Sequence, residues 1–135
     1  MVANARNGER KSVTMTSTLP LVLLLEDEPL IAMDTESTLQ DAGFEVVTFA
    51  TCSEMDAWLT DHHPQLAIVD LTLRDGAPTK AVQQMVQRNI PFIVHSGEMD
   101  RSAMPDLAFG AGTWLGKPSP SNELIATARR LAGLV

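Results

Sequence analysis

Two adjacent carboxylates, Glu26 and Asp27, a third at Asp70 and an ammonium at Lys117 are the groups of this chain best suited to joint chemistry. Each closes a short apolar run and is followed by turn or helix-start residues. A parallel sheet would therefore gather all four at one end, where open α/β folds place their chemistry. An acidic cluster of this kind can hold a single divalent cation through its oxygen donors. With one lysine opposite, it suits a site that accepts a phosphoryl group on a carboxylate. Taken singly the groups say less. Glu26-Asp27 also reads as a helix-start charge pair favoured by the macrodipole, and a lone lysine as a solvated surface charge.

The elements that must position these groups alternate. Leu21 to Leu25 is apolar without interruption, as expected of a strand covered on both faces. Pro29 suits a first helical turn and Gly43 a left-handed terminus, so a helix is expected from Pro29 to Ala42. A strand at Phe44 to Phe49 follows. Ser53-Glu54-Met55-Asp56 then resembles a capping box before a short helix carrying Met55, Trp58 and Leu59, ended by His62, His63 and Pro64. Leu66 to Val69 delivers Asp70 into a loop, and Ala81, Val82, Met85 and Val86 recur at helical spacing. Pro91 to His95 is the fourth strand and Thr113 to Leu115 the fifth. Leu124, Ile125, Ala128 and Leu131 stripe the last helix. Between the fourth and fifth strands, Glu98 to Gly110 has little helical signal and a proline at 105, so the helix there should be short or irregular. Five βα units predict an α/β fold, a doubly wound five-stranded parallel sheet with helices on both faces.

The chain has 135 residues, the size of one domain, with 44% hydrophobic and 20% charged residues, an ordinary globular composition. Net charge is −7 with no basic run, so the electrostatic footprint of a nucleic-acid binder is missing and no DNA contact is expected. Cys52 is the only cysteine, which excludes an intrachain disulfide and a multi-cysteine zinc site and is consistent with a cytoplasmic location. Residues 1–18 are polar and expected to be a disordered tail, with the folded domain at 19–135. The apolar run after Pro20 is short and stopped by Glu26-Asp27-Glu28, so neither a signal peptide nor membrane insertion is expected. His62 and His63 fall in a predicted exposed loop. His95, ending a strand beside Ser96, either influences that hydroxyl or is a partly buried spacer.

Leu-Leu-Leu-Glu-Asp-Glu-Pro at 23–29, Ala-Ile-Val-Asp-Leu at 67–71, Val-His-Ser-Gly at 94–97 and Gly-Ala-Gly-Thr-Trp-Leu-Gly-Lys-Pro at 110–118 occur in order, each at the carboxyl end of a predicted strand. In these pieces the chain, from about Leu19 to Leu134, resembles the CheY-like receiver domain of two-component response regulators. The resemblance implies strand order 2-1-3-4-5, Asp70 as phosphoacceptor from a histidine kinase or phosphotransfer protein, and a magnesium cofactor. It further implies Asp27 as a direct metal ligand, Glu26 as its partner through water, and the Thr72 backbone carbonyl as a third protein ligand. Lys117 would contact the phosphoryl oxygens and pair with Asp70 beforehand, with a cis peptide to Pro118. Ser96 would bond the new phosphoryl group, and Trp114 stands where a Tyr or Phe usually follows that motion inward; alternatively it is a large hydrophobic plug. Thr72 and Glu98 hold the two places flanking the path of the attacking water in dephosphorylation.

The loop after Asp70 departs from most receivers, with Arg74 where a proline is usual. Together with Asn89-Ile90-Pro91-Phe92-Ile93 it resembles a branch of stand-alone receivers of α-proteobacteria, although that branch often has Phe-Ala-Thr-Gly-Tyr where this chain reads Val94 to Glu98. The function implied is that of a single-domain response regulator, which toggles contacts with a downstream protein or serves as a phosphate sink. It would be a signalling phosphoacceptor that catalyses only its own phosphorylation and dephosphorylation. Three alternatives stand beside it. A phosphorylation-independent interaction module would not need Asp27, Asp70, Ser96 and Lys117 together. A phosphohydrolase of the haloacid dehalogenase type would want an Asp where Thr72 stands. A flavodoxin-like cofactor protein has a neutral phosphate loop after its first strand, where Glu26-Asp27-Glu28 would repel phosphate.

Overall fold

The computed structural model describes residues 19–70, 73, 78–97 and 111–134. The tail at 1–18, Thr72, Arg74, Glu98 and the expected helix between 98 and 110 lie outside them. In chain order the elements are β1 (Leu21–Leu25), α1 (Pro29–Asp41), β2 (Glu45–Phe49), α2 (Cys52–Leu59), β3 (Leu66–Val69), α3 (Thr79–Gln87), β4 (Phe92–Ser96), β5 (Thr113–Gly116) and α4 (Ser121–Leu131). The five strands form one sheet in the order β2-β1-β3-β4-β5, with every pair parallel. This is the expected 2-1-3-4-5 order.

Burial along the strands follows their place in the sheet. β3 and β4 are buried throughout and β1 nearly so, whereas edge strand β2 is half-buried or exposed. Inner strands need apolar side chains on both faces, hence the unbroken apolar runs of β1 and β3 and the Phe92-Ile93-Val94 run of β4. Alternation divides the core in two. Leu23, Leu25, Val69, Val94 and Trp114 pack with Met55 of α2 and Val82 and Met85 of α3. Val22, Leu24, Ile68, Ile93 and Leu115 pack on the other face with Leu39 of α1 and Leu124 and Ala128 of α4.

Local chemistry sets the ends. Gly43 after α1 has φ +99°, the left-handed backbone that glycine takes at little cost. The capping of α2 falls earlier than expected. Thr51, not Ser53, is the N-cap: its Oγ1 accepts from the Glu54 N–H at 3.3 Å and donates to Glu54 Oε1 at 3.2 Å. The Ser-x-x-Asp pattern at 53–56 lies inside the helix, because the Thr-x-x-Glu box at 51–54 closes first. At the other end Arg88 donates to the Leu59 carbonyl at 2.9 Å and the His62 carbonyl at 2.8 Å, satisfying acceptors left over by the helix terminus. His62 and His63 are exposed, as expected, and the His62 ring stacks on Trp58 at a centroid distance of 4.4 Å. Gly112 lies so close to Phe92 that a Cβ there would collide with its ring. No described helix is long and apolar enough to cross a membrane.

Candidate functional site

Strand alternation brings the functional groups to one edge. Leu24, Ile68 and Leu115 all belong to the core face covered by α1 and α4. Two residues further along each strand, with the same parity, stand Glu26, Asp70 and Lys117. Sheet pairing extends one residue past β1 and β3: the Asp70 N–H donates to the Leu25 carbonyl and the Glu26 N–H to the Phe49 carbonyl, each at 3.0 Å. From the other side, the Lys117 N–H donates to the Ser96 carbonyl at 2.9 Å. The three side chains therefore leave the sheet in neighbouring positions, while Asp27 enters from the turn before α1.

The resulting cluster is acidic and largely shielded from water. Glu26 and Asp70 are each 4% exposed, and Asp27 is half-buried. One carboxylate oxygen from each of Glu26, Asp27 and Asp70 lies within 4.8 Å of the others. Hard oxygen donors grouped this closely fit a small divalent cation that keeps part of its water shell. Lys117 Nζ stands 2.6 Å from Glu26 Oε1 and 3.4 Å from Asp70 Oδ2. The lysine thus pairs with Asp70, as expected, but more closely with Glu26. Glu26 Oε2 also accepts the Glu28 N–H at 3.1 Å, so both oxygens of Glu26 have protein partners. Burial pushes its pKa up; the hydrogen bonds from Lys117 and the Glu28 N–H oppose this, and the Asp70 charge adds to it. The Lys117–Pro118 peptide is cis.

Ser96, at the end of β4, is fully buried. Trp114 is 7% exposed and sits in the core beneath α2 and α3 with Val94 and Leu73. His95 is buried on the opposite face of the sheet from Ser96, the face of Ile93, because neighbours along a strand point apart. Its Nε2 lies 3.1 Å from Ser119 Oγ. Burial is the main cause that lowers its pKa; the Lys117 charge adds to the effect and the Asp70 charge opposes it. Ser119 went unnoticed in the sequence, where only its place two residues after Lys117 marks it. The metal-site and water-path roles of Thr72, and the role of Glu98, concern residues outside those described.

Comparison with known proteins agrees with this geometry. The family model of the response regulator receiver domain matches residues 22–129. The transcriptional regulatory protein PhoP of Escherichia coli strain K12 is 29% identical over 113 residues, covering 82% of this chain and 51% of that protein. The virulence transcriptional regulatory protein PhoP of Salmonella typhimurium strain SL1344 is 30% identical over 115 residues, covering 82% and 50%. The chain thus spans about half the length of these curated relatives. Among solved structures, a CheY-like receiver domain protein of Methanospirillum hungatei superposes with a TM-score of 0.77 at 20% identity, covering 86% of this chain and 95% of that one. The chemotaxis protein CheY4 of Vibrio cholerae gives 0.75 at 26% identity, covering 84% and 99%. The response regulator TrrA of Thermotoga maritima, solved in complex with magnesium and beryllofluoride, gives 0.74 at 20% identity, covering 84% and 99%.

Proposed function

Because this chain belongs to the response regulator receiver domain family of two-component signalling, we propose that Asp70 is its phosphoacceptor. A carboxylate oxygen of Asp70 attacks the phosphorus of a phosphohistidine or a small acyl phosphate. The bond from phosphorus to the donor breaks, and the imidazole or carboxylate departs with its electron pair. A carboxylate is a weak nucleophile, so charge neutralisation and in-line placement supply the rate. The observation that carries this function is the buried Asp70 carboxylate with the Lys117 ammonium 3.4 Å away, at an edge where two further carboxylates stand ready for a cation.

Asp27, Asp70 and the Thr72 carbonyl would hold magnesium directly, and Glu26 through water. The bound ion would offset charge building on the transferred group. Lys117 holds the phosphoryl oxygens by charge-assisted hydrogen bonds. The Ser96 hydroxyl donates to a phosphoryl oxygen and draws its loop inward, and Trp114 answers that motion from the core. Thr72 and Glu98 flank the path of the hydrolytic water. The donor partner is a sensor histidine kinase or phosphotransfer protein, and the output is a changed contact with a downstream protein, or a drain on the kinase's phosphoryl groups. TrrA, a relative in fold, is a response regulator in complex with magnesium and beryllofluoride, which agrees with the proposed cofactor.

Incubation with acetyl phosphate in magnesium, and separately in chelator, followed by intact mass measurement tests this function. One phosphoryl adduct in magnesium, none in chelator and none for Asp70→Ala is the expected result. An adduct that persists in Asp70→Ala would refute it.

A further inference from the structure

The Lys117 ammonium is anchored by Glu26 and Asp70 and the Pro120 carbonyl by the Glu123 and Leu124 N–H groups, but the loop backbone between them has few means of staying in place. Pro118 and Pro120 have no N–H to give. On the face toward α1 and α4, a cavity of about 430 Å³ opens against His95, Lys117, Pro118 and Ser119, so close packing does not fix the loop there. Two ties reach it from β4. The Lys117 N–H donates to the Ser96 carbonyl at 2.9 Å, and one residue earlier on the strand the His95 imidazole meets the Ser119 hydroxyl at 3.1 Å. They grip the loop on either side of Pro118.

We propose, resting on the receiver function above, that the His95–Ser119 hydrogen bond is a latch that positions Lys117 for phosphoryl chemistry. His95 is a positioning residue: its ring nitrogen touches neither the acceptor nor the transferred group, and acts through Ser119 on the lysine two residues before. The contact is part-buried, with His95 itself 6% exposed, and a hydrogen bond shielded from water holds geometry because leaving its partner unmet is costly. The sheet gives the latch a second property. Ser96 and His95 are consecutive on β4 and face opposite sides, so a displacement of the Ser96 loop on phosphorylation is delivered to Ser119 and the start of α4 as well as to Trp114.

Three variants test it: Ser119→Ala, His95→Ala, and His95→Gln, whose amide head reaches about as far as the imidazole Nε2 and can donate or accept. The first measurement needs no phosphoryl donor. Hydrogen exchange at the Lys117 amide should accelerate about tenfold in Ser119→Ala and His95→Ala and stay near the wild-type rate in His95→Gln. The second is the rate of phosphoryl acceptance from acetyl phosphate in saturating magnesium. It should fall about fivefold or more in the two alanine variants and recover in His95→Gln, since small misplacements of a catalytic group cost rate steeply. Magnesium affinity should stay within about twofold of wild type throughout. Unchanged Lys117 exchange in Ser119→Ala would overturn the latch whatever the donor does, and so would failure of His95→Gln to rescue. If wild type accepts no phosphoryl group while Lys117 exchange responds as expected, the latch stands and the receiver function fails.

Discussion

Lys117→Met removes an ammonium and keeps its apolar stem, leaving Glu26 buried with its closest cation gone. At an effective dielectric of about 20, opposite charges at the observed 2.6 and 3.4 Å attract by about 6 and 5 kcal/mol. Most of that offsets the cost of taking three ions out of water, so the net value of the assembly is small. Removing one partner is different, since Glu26 and Asp70 stay buried at 4% exposure without the ammonium, which costs about 3–5 kcal/mol. A domain of this size has only about 5–15 kcal/mol in hand. Lys117→Met should therefore unfold at clearly lower urea in chelator, and magnesium should return more stability to it than to wild type by binding only the native state. Lys117→Met/Glu26→Gln should be more stable in chelator than Lys117→Met alone, because one orphaned charge is gone. Urea unfolding of the three proteins, each with chelator and with magnesium, gives the comparison. Equal midpoints for wild type and Lys117→Met in chelator would refute the claim that the lysine holds the acidic cluster together.

Other substitutions probe the frame around the site. Gly112→Ala would force a Cβ against the Phe92 ring, and should cost about 1–3 kcal/mol by overpacking, read from the urea midpoint. Thr51→Ala should cost about 1 kcal/mol through loss of the α2 cap, whereas Ser53→Ala should cost a small fraction of that. For His95, burial first and then the Lys117 charge hold the pKa below 6.5. Between that lowered value and 6.5 the unfolded chain binds a proton that the native one refuses. The His95 contribution is thus present above 6.5 and lost as pH falls through that window. Unfolding free energy followed from about pH 7 to pH 5 should show this slope in wild type less the slope of His95→Gln, and identical slopes would contradict it.

Much of this molecule was legible before its coordinates because its signals are periodic. The unbroken apolar runs at Leu21 to Leu25 and Leu66 to Val69 could belong only to inner strands or buried helices, and the acidic residues directly after them marked the carboxyl edge. Glu26, Asp70 and Lys117 each close such a run, which places them together at that edge. What escaped depends on contacts across the fold. The closer pairing of Lys117 with Glu26 than with Asp70 joins residues 91 apart in sequence. The His95–Ser119 bond spans 24 residues and depends on the register of β5 against β4, which no local pattern encodes. The α2 cap was misplaced for a local reason: two overlapping cap-like patterns compete at 51–56, and the threonine box precedes the serine one. Arg88, which no sequence pattern singles out, holds the carboxyl end of α2 through the Leu59 and His62 carbonyls.

The most direct test is to locate the phosphoryl group itself. After brief phosphorylation by acetyl phosphate in magnesium, borohydride reduction converts an acyl phosphate side chain to an alcohol that survives proteolysis, and tandem mass spectrometry reads the modified position. The account predicts modification at Asp70 alone, lost in chelator. A modification carried by Glu26 or Asp27, or a phosphoryl group retained on a histidine with Asp70 untouched, would contradict it.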